Sequence, residues 1–289
     1  MPILTILEPR LTDLGGGMKV RRLLPSAARQ SVGPFVFFDH FGPVAHHPGS
    51  DTDVRPHPHI GLATVTYLFD GAMLHRDSLG TVQRIEPGAI NWMTAGRGIV
   101  HSERTPDDLK MQPHTTHGLQ LWAALPLAFE EAEPCFAHTP ASAIPSWREP
   151  LIAGRVLIGR AFDRVSPVQT FSRTLYLDVE ALPGGVLALD GDSDERAVYA
   201  LDAGLEVDGR ALDPFRMAIL EPARAARVHA PKGGRFVVIG GEPLDGRRHI
   251  WWNFVSSRRE RIEAAKEDWR LQRMGEVPGD SERIPLPER

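Results

Sequence analysis

The sequence predicts an all-β protein of two antiparallel β-barrels with a single short α-helix near its end. Three observations carry that prediction. Short β-branched and aromatic runs at 63–69, 118–124, 174–179 and 235–239 are separated by turn signals at regular intervals, as in a sandwich or barrel. The 27 glycines and 25 prolines are spread along the chain, so they punctuate strands and do not form a low-complexity tail. One segment near the C-terminus has helical periodicity in place of strand patterning.

The elements follow in order. Gly42-Pro43, Pro48-Gly49, Asp70-Gly71 and Pro87-Gly88 divide the first half into strands, and Pro183-Gly184-Gly185, Asp208-Gly209, Gly233-Gly234 and Gly240-Gly241 divide the second. Residues 134–150, with Pro134, Pro140, Pro145 and Pro150, show little apolar periodicity and mark the expected boundary, giving domains 1–135 and 136–289. The halves have similar length and turn rhythm, and Val65-Thr66-Tyr67 is echoed by Ala197-Val198-Tyr199, as a duplicated barrel requires. From Ser257 to Met274 the apolar residues Ile262, Ala265 and Trp269 fall on one helical face, which is expected to pack on the barrels. Ser257 with Glu260 reads as a capping box, Gly275 as the stop, and the tail with Pro278, Pro285 and Pro287 as extended.

Composition bounds the function. A 42% apolar and 24% charged chain can build an ordinary globular core. With 33 Lys+Arg against 37 Asp+Glu the net charge is −4, which argues against direct nucleic-acid binding, since that needs excess cationic side chains. Cys135 is the single cysteine, so no internal disulfide forms. Residues 1–10 lack a basic-then-apolar leader and no apolar run approaches a membrane span, so a reducing, cytoplasmic setting without membrane contact is expected.

Chemistry concentrates in the first half, which holds ten of the twelve histidines. His57-Pro58-His59 and His101-Ser102-Glu103 each place two ligand-type residues at i and i+2, on one face of a strand. Two such pairs facing each other across a barrel interior would give three imidazoles and one carboxylate, a metal site. With no thiolate, this set suits Fe(II), Mn, Ni, Cu or Zn and leaves open positions for a substrate oxygen. The other candidates are read more plainly. His114 and His117 are taken as loop residues after Pro113, His46 and His47 as solvent-facing, and His40 as near the pocket or orienting its loop. Phe37, Phe38, Trp122, Trp251 and Trp252 are taken as core or interdomain packing. No phosphate-cradling loop appears.

The strings Phe37-Phe38-Asp39-His40-Phe41-Gly42-Pro43, His57-Pro58-His59-x-Gly61, Pro87-Gly88-x-x-x-Trp92-Met93-Thr94-Ala95-Gly96-Arg97-Gly98-Ile99-x-His101-x-Glu103 and His117-Gly118-Leu119-Gln120-Leu121-Trp122 resemble the pirin family of the cupin superfamily. The resemblance covers about residues 35–125. It implies two stacked cupin-type jelly-roll barrels, with one divalent ion, usually Fe(II), held in the first by His57, His59, His101 and Glu103. The chain departs from the family pattern at Ala63, where a glutamate is common, and at Ile60, where an arginine is common.

The resemblance further implies a metal-dependent dioxygenase similar to quercetin 2,3-dioxygenase, acting on a small aromatic enol or flavonol with O₂ and releasing carbon monoxide. Glu103 would then be both ligand and proton acceptor. An alternative is a non-catalytic metal- or redox-sensing protein acting through a protein partner such as a transcription factor or metabolic enzyme. A cupin isomerase is a third reading. Aligning Tyr199 with Tyr67 sets the counterparts of His57 and His59 near 189–196, where no histidine occurs, so the second barrel is expected to bind no metal.

Overall fold

Runs of β-branched and aromatic residues between glycine and proline turns pair most readily with their neighbours in sequence, and this chain does so twice over. In the computed structural model, which describes residues 3–13, 19–50, 52–191 and 194–288, the first set of eight strands is Phe35–His46, Val54–His59, Leu62–Asp70, Met73–Asp77, Val82–Ile85, Ile90–Thr94, Ile99–Arg104 and His114–Ala124. The second is Thr174–Ala181, Gly185–Leu189, Glu195–Ala200, Leu205–Val207, Arg210–Leu212, Met217–Leu220, Ala226–Ala230 and Gly234–Gly241.

The two sets weave alike. In each, the sixth, third, eighth and first strands are neighbours within a seven-stranded sheet, while the second, seventh, fourth and fifth form a four-stranded sheet. These are two cupin domains in a mostly β chain, 52% strand and 8% helix. Tyr67 and Tyr199 both lie fully buried on the third strand of their set, so the short sequence echo reports a true duplication. Among the described residues no helix is long and apolar enough to cross a membrane.

The pairing sharpens one alignment between the halves. His101 pairs with His57 and Ile99 with His59 in the first four-stranded sheet, and Val228 pairs with Leu187 and Ala226 with Leu189 in the second. Leu187, Leu189 and Val228 are buried as the three histidines are, whereas Val186 is half-buried and Ala188 exposed, so the counterparts of His57 and His59 are Leu187 and Leu189, the second at the start of the expected 189–196, of which 192 and 193 lie outside the described residues. The shift comes from loop length. Residues 60–61 alone join the second and third strands of the first set, whereas 190–194 join them in the second.

By contact the chain groups into two units. One comprises Met1–Leu11, Arg21–Asp39 and Ser142–Leu244; the other comprises Thr12–Val20, His40–Ala141 and Asp245–Arg289. The expected contiguous division, 1–135 and 136–289, differs from this grouping at both ends of the chain. The crossing at 141/142 does fall in the proline-rich stretch, but that stretch is not a bare linker. Cys135–Thr139 pairs with Ile90–Thr94, and Ser146–Arg148 pairs with Ile152–Ile158. In the unit holding the second strand set, Leu177, Val198, Phe236 and Val238 are fully buried in one core.

The C-terminal residues join the other unit because their helix has an apolar face to bury. Ile262, Ala265 and Trp269 of Arg259–Arg270 pack with Ile60, Val100, Phe254 and Val277. The helix is shorter than the span 257–274, and its ends differ from the sequence reading. Arg258 is the N-cap, and Ser257 gives both its backbone N–H and its hydroxyl to the buried Glu130 carboxylate, each at 2.8 Å, so no capping box forms. At the other end Gln272, at φ +57°, takes the left-handed position, with Gln272 N–H on Trp269 O and Arg273 N–H on Asp268 O. That pair of bonds is the Schellman pattern, and it places the left-handed residue three positions before Gly275.

Candidate metal centre

Val54–His59 is the edge strand of its four-stranded sheet, the place where Pro56 and Pro58 remove ladder donors at least cost. The strand leaves through Ile60-Gly61. Gly61 sits at φ +68°, where an added Cβ would lie 2.0 Å from the Val255 carbonyl oxygen, so no other residue fits this turn. Next to it runs Ile99–Arg104, entered after Gly96, whose own Cβ would meet the Ala132 carbonyl at 1.9 Å. His57 lies directly opposite His101, and His59 opposite Ile99. The two ligand pairs are thus lateral neighbours in one sheet, not facing walls of the barrel. Adjacent antiparallel strands hold opposed side chains close enough for three rings to converge.

The ring centroids of His57, His59 and His101 are 4.4–5.0 Å apart, and one donor nitrogen from each lies within 4.8 Å of the others. All three rings are buried. Nδ1 of His57 donates to the Arg55 carbonyl at 2.9 Å and Nδ1 of His59 to the Asn253 carbonyl at 3.2 Å. Nδ1 of His101 lies 3.4 Å from Nδ1 of His75. Nε2 is left as the lone-pair atom on the first two rings, and His101 Nε2 is buried with no hydrogen-bond partner among the described residues. A buried nitrogen lone pair without a partner is costly unless something binds it, so the donor set fits a divalent metal ion.

Electrostatics favour the same state. Burial lowers the His57 pKa to about 4, against the opposing pull of the Arg55 carbonyl. Burial likewise holds His59 and His101 well below the usual imidazole range, helped by the neighbouring rings. Neutral imidazoles are the ligand form.

Glu103 is two residues beyond His101, past a register shift, and opposite His75 on Met73–Asp77. The group of mutually close donor atoms is the histidine triad, without Glu103. Its carboxylate Oε1 lies 3.4 Å from the Thr66 hydroxyl, which is itself 2.9 Å from Gln120 Oε1. Burial pushes the Glu103 carboxyl above its ordinary value, with His75 and Thr66 pulling it partly back.

The remaining sequence candidates fall elsewhere. His114 and His117 are in the strand His114–Ala124, not a loop, because that strand extends six residues before Gln120. His117 Nε2 lies 2.8 Å from Nε2 of the buried His40. His46 is buried and stacked on His114 at 4.6 Å, while His47 is exposed, so only the second of that pair faces solvent. Phe37 and Phe38 are buried. Trp122 makes a T-shaped contact with His59 at 5.2 Å, and Trp251 and Trp252 pack on the Ile60–Phe254 cluster. Ile60 and Ala63 are both buried, and Ile60 belongs to the apolar cluster that receives the helix.

Three contributors were not singled out in the sequence: Asn253, His75 and Asp77. Asn253 reaches His59 through its backbone from 194 positions away and leaves no side-chain signal. His75-Arg76-Asp77 did carry one, the same i, i+2 spacing as the ligand pairs. Asp77 is buried, which raises its pKa, but hydrogen bonds from His75 and the Thr81 amide outweigh that and leave it below its ordinary value.

Residues 17–123 match the pirin family model, and residues 176–275 match that of the pirin C-terminal cupin domain. A pirin-like protein of Caulobacter vibrioides is 44% identical over 287 residues, covering 98% of this chain and 99% of its own. The pirin of Homo sapiens is 32% identical over 277 residues, 90% of this chain and 89% of its own. A crystal structure of a quercetin 2,3-dioxygenase from Acinetobacter baumannii is 34% identical, with a TM-score of 0.91 over 99% of this chain and 97% of its own. Two matched domains, relatives spanning nearly the full chain and the repeated cupin weave agree: the chain belongs to the pirin family.

Proposed function

We infer that this protein is a metal-dependent dioxygenase that opens a flavonol-like aromatic enol with O₂. His57, His59 and His101 hold one divalent ion, Fe(II) before Mn, Ni, Cu or Zn, with Glu103 as the fourth ligand. The observation that carries the reading is the convergence of three neutral, buried imidazoles whose Nδ1 atoms are all engaged, leaving Nε2 on each for one ion. The likeness to the quercetin 2,3-dioxygenase of Acinetobacter baumannii supports the substrate class.

When bound, the ion supplies positive charge that favours the deprotonated enolate and, if redox-active, a route for O₂ to react. The chain's own residues do the rest. Glu103, with its pKa raised by burial, is a carboxylate suited to accept the enol proton on one oxygen. The Thr66 hydroxyl, 3.4 Å from Glu103 Oε1, is a donor within reach of that carboxylate. Trp122, in T-shaped contact with His59, helps exclude water from that ring.

The test uses protein loaded with Fe(II) under anaerobic conditions, then mixed with quercetin and oxygen. Loss of flavonol absorbance with matching oxygen uptake is expected for the native chain. His101→Ala should lose bound iron, and Glu103→Gln should lower turnover by about 10²–10⁴-fold, the usual range for removing a general base. Stoichiometric iron binding with no flavonol consumption overturns the reading and favours the sensing alternative.

A further inference from the structure

Two of the three imidazoles are oriented by carbonyl oxygens, which can only accept. Nδ1 of His57 and of His59 must therefore carry the proton, and Nε2 the lone pair. For His101 the neighbour is another imidazole nitrogen, Nδ1 of His75 at 3.4 Å, which can donate or accept. The ambiguity ends one bond further out. Nε2 of His75 lies 3.0 Å from Oδ2 of Asp77, and a carboxylate accepts. His75 protonated on Nε2 leaves its Nδ1 as acceptor, so His101 donates from Nδ1 and keeps the Nε2 lone pair.

We propose that Asp77 and His75 are positioning residues that set the tautomer of His101 through this relay and thereby its capacity to bind the ion. The proposal rests on the reading that the histidine triad holds a metal. The relay is shielded from bulk water, with relative exposures of 0% for Asp77, 2% for His75 and 1% for His101, so its hydrogen bonds form in a low-dielectric setting. It is also rigid. Asp77 Oδ1 accepts the Leu79 and Thr81 amides at 2.9 and 3.0 Å, fixing the direction of Oδ2. The His75 ring stacks on Phe136 at 4.3 Å. The strand register places both residues beside the ligand strand, with Asp77 opposite His101 and His75 opposite Glu103. Partners of this kind fix ring orientation and ligand basicity in metal sites.

Asp77→Asn separates this role from a structural one. The amide oxygen can still accept from Leu79 and Thr81, while its NH₂ now faces His75 Nε2. His75 must accept there and donate from Nδ1, which moves the His101 proton onto Nε2, the metal-facing atom. Chelator-competition titration with Co(II) should show affinity reduced about 10- to 100-fold, with little change in the urea midpoint of the metal-free protein. His75→Phe keeps the ring on Phe136 but cuts the relay, and Asp77→Asn added to it should bring no further loss. Long-range ¹H–¹⁵N spectra of the metal-free protein should place the His101 proton on Nδ1 in the native chain and on Nε2 in Asp77→Asn.

Co(II) affinity unchanged by Asp77→Asn overturns the relay and leaves the metal site standing. Losses in the two variants that multiply overturn it as well. A native chain that takes up no Co(II) overturns the function proposed above, and the relay is then judged by the metal-free spectra, where a His101 proton on Nε2 refutes it.

Discussion

A histidine kept neutral by burial makes the fold sensitive to acid in a defined window. His57 titrates near 6.5 when unfolded and at about 4 in the fold. Between those values the unfolded chain binds the proton and the folded one does not, so the stability of the metal-free protein is complete above pH 6.5 and falls as pH drops toward 4. Each such histidine contributes a slope of up to about 1.4 kcal/mol per pH unit. Urea midpoints measured across this range should show the decline, and His57→Gln should make it shallower, with His59 and His101 still contributing; a flat native profile would refute the assignment. The residue scale is also where the sequence was most legible. His57, His59 and His101 were evident from spacing because a strand repeats every two residues, whatever surrounds it. Their hydrogen-bond partners were not, since a backbone carbonyl such as that of Asn253 has no identity in a sequence.

At the scale of elements, the C-terminal helix and tail act as a brace beside the strand that carries His57 and His59. Trp269 is buried in the Ile60–Phe254 cluster and donates its indole N–H to the Ile284 carbonyl at 3.0 Å. Ile284 in turn gives its N–H to the Pro56 carbonyl, one residue before His57, at 2.8 Å. Nearby, Arg104 pairs with Asp280 at 2.7 Å. Trp269→Ala should cost about 3–5 kcal/mol, from lost packing and an unfilled cavity, read as a lowered urea midpoint. An exposed change on the same helix, Arg270→Ala, should stay near zero because its ion pair with Glu267 is solvated. The apolar face of the helix was legible from its period, whereas its caps were not. Ser257 has the chemistry of a cap, but Glu130, 127 residues away, takes both of its donors.

For the whole molecule, duplication followed by divergence gives two barrels with one candidate centre among the described residues. Where the first barrel has His57 beside His101, the second has Leu187 beside Val228, both buried in its apolar core. His229, the neighbour of Val228, is half-exposed and pairs with Glu206 at 3.0 Å. Elemental analysis of protein purified without contact with affinity nickel should therefore find one metal ion per chain, and none after His101→Ala; a stoichiometry of two would contradict this account.

The sequence by itself determined the all-β class, the doubled barrel, the presence of a terminal helix and the three histidines of the candidate centre, because each is written in short-range periodicity and turn chemistry. Tertiary structure alone decided which neighbours those histidines have. It joined residues 245–289 to the first barrel's unit, placed the counterpart of His57 at Leu187, and set Asp77 and His75 behind His101. The physical reason is common to all three: strand register and apolar burial bring together groups far apart in the chain, and neither leaves a local mark on the residues it joins.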